Sequence, residues 1–413
     1  MLRTVLEILF WLSAALIVWT QLGYALALAV CARLFAPRRP ADAHPAETRT
    51  PAALPMGVRA IDAESDDARA AASPLALPSV SLIVAAHNEQ SVIAAKIANA
   101  LELDYPRELL ELIVACDGCS DSTAEYARTA GADLVLDLPR GGKIRAQDAA
   151  VERARGELVA FSDANSLWAA GALGVLANAF ADARVGYACG QVRFVQAASG
   201  PTATNQESVY WRYEMAVRSL ESRLSSITAG NGAIYATRRD AYMVVDPIMG
   251  HDLSFPFNMV KRGWRAIYVP GARATEKMVP SIEGEFARKR RMMSHAWPIV
   301  LRGGMLSPRG YTAGYGLMIV SHRLLRYTTP VLHALGLATN AALVLDGAHG
   351  VYALTLILQL ALLAAAALAG TIRTRVLLIA RYYVLTTASL AAGLWDWLRH
   401  GTAAGWDAPE GTR

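Results

Sequence analysis

The sequence predicts an α/β domain with a doubly wound, largely parallel sheet, joined to about four membrane-spanning α-helices. Three observations predict it. Short apolar runs alternate with helical segments between residues 79 and 300, which is the pattern of strand–helix–strand units. Several of those runs stop at acidic or amide residues. Four long apolar stretches, each close to the ~20 residues a bilayer-spanning helix needs, lie on either side of this region.

Composition agrees. Hydrophobic residues make up 54% and charged residues 18%, too apolar for an ordinary soluble enzyme. The net charge is +5, with no Lys/Arg block that points to nucleic acid. Four cysteines, Cys31, Cys116, Cys119 and Cys189, make no disulfide framework. Cys116 and Cys119 have C-x-x-C spacing but no second pair to complete a zinc site. The Asp-Gly between them reads as a tight turn.

The elements follow in order. Residues 5–32 form one apolar span, too long for the core of a typical signal peptide. Residues 37–78, rich in Pro, Ala, Asp and Arg without periodicity, read as a flexible linker. Val80 to Ala86 reads as a buried parallel strand. A helix follows at about 90–101, then strands in "LLELIVACDG" and "ADLVLDL". "KIRAQDAAVERARG" is an amphipathic helix that Gly156 should stop. "ELVAFSD" is a fourth strand. "VYWRYEMAVRSLESRL" is an amphipathic helix with Trp211 and Tyr213 at its start, where aromatic rings stack on sugar faces or, the favoured expectation, pack in the core. "GNGAIYATRR" is a glycine-rich turn running into a strand, and "HDLSFPFNMVKRG" can start a helix with Asp252 as its cap. Residues 301–323 read as interfacial, 324–346, 350–370 and 376–397 as three further spans, and 398–413 as a tail. Arg and Lys cluster at "CARLFAPRRP", "HRLLRY" and "TIRTR" but not at "DGAHG". This bias puts the α/β domain on the cytoplasmic side.

In open α/β sheets ligands bind beyond the carboxyl ends of the strands. Asn88, Glu89, Asp117 and Asp163 each lie just past such an end. Neither a Walker A nor a G-x-G-x-x-G pattern occurs, so an ordinary ATPase or dinucleotide site is not expected.

The ordered set "VAAHNE", "DGCSDST", "GGKIRAQDAAV", "FSDANS", "GNGAIYATRR", "GHDLSF" and "RKRRM", over about residues 79–300, resembles the membrane-bound family-2 glycosyltransferases, which have the GT-A fold and invert configuration. The resemblance implies a nucleotide-sugar donor, with UDP the expected nucleotide. Asp117 would meet its base or ribose side, Asn88 and Glu89 would line the same pocket, and Lys143 would hold the nucleotide. "SDANS" takes the place of the family's D-x-D, so Asp163 and Asn165 would hold Mg²⁺ or Mn²⁺. Asn165 can ligate a hard cation but brings no charge. Asp148 stands where the family has Asn. Asp252 matches the catalytic base, and His251 replaces an acid before it, as an orienting neighbour. Gly230, Asn231 and Gly232 would line the sugar and acceptor site. In the place of Q-x-x-R-W, Arg288 replaces Gln and Met292 replaces Trp. Arg291 takes the arginine position, where it would contact the diphosphate, while Arg290 suits anionic headgroups.

The implied activity is transfer of a hexosyl or N-acetylhexosaminyl group to a membrane-presented lipid or lipid-linked saccharide, in cell-envelope glycan or glycolipid synthesis at the bacterial inner membrane. A processive exopolysaccharide synthase and a non-catalytic nucleotide-sugar-binding subunit stay open. A transporter is disfavoured, since the apolar segments lack the ionisable residues that mark transport pathways.

Overall fold

A computed structural model of the chain describes residues 1–36, 77–195, 204–277, 282–372, 374–402 and 404. Most of the expected linker and the end of the tail lie outside the described residues. Among those described, eight strands form one mixed sheet in the order β3-β2-β1-β4-β7-β6-β8-β5. They are β1 Val80–Ala86, β2 Leu110–Asp117, β3 Leu134–Leu138, β4 Leu158–Asp163, β5 Leu167–Trp168, β6 Val185–Val195, β7 Tyr235–Arg238 and β8 Arg265–Lys277. β3, β2, β1 and β4 run parallel, whereas β7 is antiparallel to both β4 and β6.

The helices are α1 Leu2–Val18, α2 Tyr24–Phe35, α3 Ile93–Leu101, α4 Thr123–Thr129, α5 Lys143–Arg153, α6 Ala172–Asn178 and α7 Thr204–Leu224. They continue as α8 His251–Lys261, α9 Ile282–Leu301, α10 Ala313–Ile319, α11 Leu325–Tyr327, α12 Thr329–Leu345, α13 Val351–Leu368 and α14 Arg375–His400.

β1 is buried on both faces, which explains its unbroken apolar sequence. Leu82 and Val84 point into a core shared with Ile93 and Ile97 of α3 and Leu173 and Leu176 of α6. Ile83 points the other way, into a core with Ala146 and Ala150 of α5 and Phe255 and Met259 of α8. The chain leaves β1 toward β2 and β3, then returns to β4 on the other side of β1. That reversal opens a crevice at the carboxyl ends of β1 and β4, where a doubly wound sheet binds its ligand.

Two local expectations differ. α5 ends at Arg153, where Ala154 turns extended (φ −68, ψ 135). Gly156 does not cap it; a Cβ there would overlap the backbone of Val80 and Ser81, so Gly156 allows a close approach to β1. The cap of α8 is Gly250, and Asp252 is the helix's second residue with no side-chain cap bond.

Among the described residues, Leu2–Phe35, Val351–Leu368 and Arg375–His400 are long and apolar enough to cross a membrane. Ala313–Tyr327 and Thr329–Leu345 form a pair bent by 62°, a fourth span if counted as one. A third core, of Tyr24, Val217, Phe257, Trp297, Tyr315 and Trp397 among others, packs these helices onto the α/β domain.

Candidate active site

The rim is built from strand ends. Past β1, Asn88 has a left-handed backbone (φ 52), which Asn tolerates better than most residues. Its Oδ1 accepts from the Ser120 amide at 2.9 Å. Glu89 is buried, and its amide donates to Thr123 Oγ1 at 2.8 Å. At the end of β2, Asp117 is 1% exposed. Its carboxylate accepts from the amides of Gly141 (2.6 Å) and Gly142 (3.0 Å). Arg140 pairs with it at 3.4 Å. Asp117 therefore fixes the turn that launches α5, and so fixes Lys143 at that helix's first position.

Lys143 pairs with Asp163 at the end of β4. Burial opposes the lysine's charge, but Asp163, Asp252 and Glu276 outweigh it and raise its pKa. Asp163, Asn165 and Lys143 line one cavity of about 640 Å³.

Two residues here had no place in the sequence reading. Lys96 of α3 is fully buried, donates to the Ser166 carbonyl at 2.7 Å and lies over the Trp168 ring. Burial lowers its pKa to about 7 against the pull of Asp163 and Glu276. Glu276, near the end of β8, lines the same cavity, and its Oε1 has no hydrogen-bond partner among the described residues. Burial, then the charge of Asp163, pushes its carboxyl up to about 7.

On the opposite wall, Asp252 opens α8 with its Oδ1 against Gly250. Burial raises its pKa, and Lys143 pulls it part of the way back. Its carbonyl accepts from the Gly230 amide at 2.6 Å. A Cβ on Gly230 would overlap the Tyr187 hydroxyl, so this turn requires glycine. Asn231 bridges the Gly190 carbonyl and the Ile234 amide, while Gly232 lies beside Lys143.

His251 is 2% exposed and stacked on Phe255. Its Nδ1 shares a 2.8 Å hydrogen bond with the Tyr235 hydroxyl, and its Nε2 lies 3.5 Å from the Tyr242 hydroxyl. Tyr242 in turn donates to Asp148 at 2.7 Å. Burial, with Lys143 adding, lowers the His251 pKa to about 3, so the ring is neutral. Asp148 thus anchors a chain of polar groups behind Asp252.

The cavity continues from Asp252 past Arg291 and His295 of α9 to Tyr382, Tyr383 and Thr386 of α14. Arg288 makes two bonds to Glu285 at 2.7 and 2.8 Å, and Lys289 donates to the Tyr382 hydroxyl at 3.0 Å. Arg290, read as a headgroup contact, instead pairs with Asp396 of α14 at 2.6 and 2.7 Å. Trp211 both packs on the core and lines the cavity, its indole N–H donating to the Val192 carbonyl at 2.9 Å. Tyr213 packs on the third core and donates to the Thr20 carbonyl at 3.4 Å.

A buried ionic cluster, whose Glu214, Arg323 and Arg326 also line this cavity, joins α7 to the bent helix pair. Glu221 of α7 accepts from Tyr24 (2.7 Å) and the Thr228 amide (3.0 Å) and meets His322 at 2.7 Å. Glu214 meets His322 at 3.3 Å and Arg326 at 2.9 Å. Arg323 donates to Thr228 Oγ1 at 2.8 Å. Ionisable groups are thus present in the bent helix pair, contrary to the sequence reading. They are matched by two carboxylates from the α/β domain, which makes the cluster a joint between the two parts.

Among the described residues, no three His, Cys, Asp or Glu side chains gather to hold a metal. The donor set at the β4 end still suits a hard cation: Asp163, Asn165 and Glu276 all line the cavity.

Comparison with known proteins bears on the family and the fold. The family model "Glycosyltransferase like family 2" matches residues 78–294. An "N-acetylglucosaminyltransferase" of Rhizobium meliloti (strain 1021) is 29% identical over 217 residues, 48% of this chain and 50% of the relative. Another of that name, from Sinorhizobium fredii, is 26% identical over 257 residues, 57% of this chain and 62% of the relative. The chain thus spans about half the length of the curated relatives it matches. A mannosyltransferase from Pyrobaculum calidifontis, solved in complex with GDP-Man and Mn²⁺, superposes with a TM-score of 0.62 at 22% identity, covering 95% of this chain and 99% of that one. The fold, the ordered motifs and the family match lead to one conclusion: the chain belongs to the family-2 glycosyltransferases, with a GT-A domain joined to long apolar helices.

Proposed function

We propose that the protein transfers N-acetylglucosamine, with inversion, from its UDP-linked donor to a lipid or lipid-linked saccharide at the cytoplasmic face of a bacterial inner membrane. The catalytic domain is residues 79–300. One observation carries this reading. A single cavity joins Lys143, Asp163 and Asn165 to Asp252 and continues to hydroxyls on α14, an apolar helix long enough to cross the bilayer. The relatives named for N-acetylglucosamine transfer support the choice of sugar.

Roles follow from position. Asn88, Glu89 and Asp117 shape the nucleotide side, Asp117 mainly through the 140–142 turn. Lys143 and Arg291 meet the diphosphate, whose charge both complement. A divalent cation held by Asp163 and Asn165 would neutralise charge on the departing diphosphate. Asp252 takes the proton from the acceptor hydroxyl as that oxygen attacks the anomeric carbon. Its raised pKa suits this task, since a base near the working pH combines availability with driving force. Neutral His251, held by Tyr235 and Tyr242, keeps the start of α8 in place without adding charge. Gly230 to Gly232 form the wall against the sugar.

The test is transfer of label from UDP-[¹⁴C]N-acetylglucosamine into the organic-solvent extract of membranes carrying the protein. Label in that extract, absent with Asp252→Asn, is the expected result. Label only in water-soluble polymer would favour a polysaccharide synthase instead.

A further inference from the structure

We propose that Glu276 is a ligand of the divalent cation at the diphosphate end of the cavity, supplying the carboxylate that Asn165 lacks. The inference rests on the donor-site reading above.

Sheet register brings the residues together. β5 and β8 are antiparallel, with Leu167 opposite Thr275 and Trp168 opposite Ala274. Continuing that register sets Glu276 opposite Ser166, the residue after Asn165. Two segments more than a hundred residues apart thus meet at the end of the turn that carries Asn165, with Glu276 beside Ser166.

Orientation points the same way. Ala272 and Ala274 are buried in the first core. Side chains on one strand alternate between faces, so Glu276 continues that inward row. A carboxylate there is costly to bury unless it is used. Its Oε1 is buried with no hydrogen-bond partner among the described residues, while Glu276, Asp163 and Asn165 all line the cavity.

Charge arithmetic gives the use. A hard cation beside a diphosphate favours anionic oxygen ligands. With Asn165 neutral, Asp163 alone offers one negative charge; Asp163 with Glu276 offers two, as a pair of acids would. In this arrangement Lys143 also leaves Asp163 for the diphosphate when donor and cation bind.

The experiment is a Mn²⁺ titration of the detergent-purified full chain with UDP, read by the EPR signal of free Mn²⁺. Wild type should bind Mn²⁺ in the presence of UDP. Glu276→Gln should weaken that binding roughly 10-fold or more, since even outer-shell partners count on that scale. Adding Asn165→Asp to Glu276→Gln should recover most of the loss. With Glu276→His, pulsed EPR should detect a directly bound ¹⁴N that wild type lacks, an effect no merely structural role gives. UDP binding without metal checks that each variant is folded; if Glu276→Gln is not, the histidine variant decides. Binding by Glu276→Gln within about twofold of wild type, a difference under 0.5 kcal/mol, would overturn the proposal. So would a missing ¹⁴N signal in a folded histidine variant. No UDP-dependent Mn²⁺ binding in wild type would instead overturn the donor-site reading on which it stands.

Discussion

Asp252 is the residue on which the proposed chemistry turns, and its surroundings make firm predictions. Asp252→Asn removes the base but keeps the shape. Turnover should fall by ~10²–10⁴, the usual worth of general-base catalysis, while donor affinity measured by calorimetry stays near wild type. The pH profile has a definite sign. Only deprotonated Asp252 accepts a proton, and burial raises its pKa above the ordinary carboxylate value. The rate should therefore rise with pH through that raised value. Lys143 lowers the pKa of Asp252, so Lys143→Met should move the acidic limb to higher pH as well as weaken donor binding. His251, with its pKa near 3, should contribute no limb above that. The motifs made Asp252, Lys143 and Asp163 legible, because each occupies a fixed place beside a strand or helix end. Lys96 and Glu276 were not legible. Nothing local marks a lysine on a mostly buried helix face as the support of a turn 70 residues later, or the Glu of "RATEK" as a cavity residue.

Among the elements, the β4–β5 turn and the contact of α7 with residues 320–326 give opposite expectations. Lys96→Met keeps volume and removes a buried cation, whose desolvation was expensive. The Ser166 carbonyl loses its donor, at a cost of about 1–3 kcal/mol. The two effects oppose each other. The apparent Tm should thus change little while the KM for donor rises, because Ser166 adjoins Asn165. Glu221→Gln is different. It removes the charge that faces His322 and Arg323, and breaking a buried pair costs about 3–5 kcal/mol. A large drop in apparent Tm is expected. Arg290→Ala breaks a pair whose arginine is 46% exposed and should cost less than about 1 kcal/mol; equal losses for the two variants would contradict this ranking. Strand and helix order were readable from alternating patterns. Register and the pairing of Glu214 and Glu221 with His322 were not, since their spacings of about a hundred residues leave no period to see.

In the whole molecule, the proposed donor site, base and membrane-facing acceptor path share one continuous cavity. The apolar stretches were plain in the sequence by length alone. The break at Thr328 that bends the second of them by 62° was not. Nor was the way α9 and α14 enclose the cavity, which depends on packing between distant helices. The most direct measurement is nucleoside diphosphate release by the detergent-purified protein. It would be offered a panel of nucleotide sugars with Mn²⁺ or Mg²⁺, with and without a native membrane lipid extract. Release from UDP-N-acetylglucosamine that requires lipid and is lost in Asp252→Asn is the expected result. Donor binding without release from any nucleotide sugar, lipid present, would contradict it and leave a nucleotide-sugar-binding subunit as the better description.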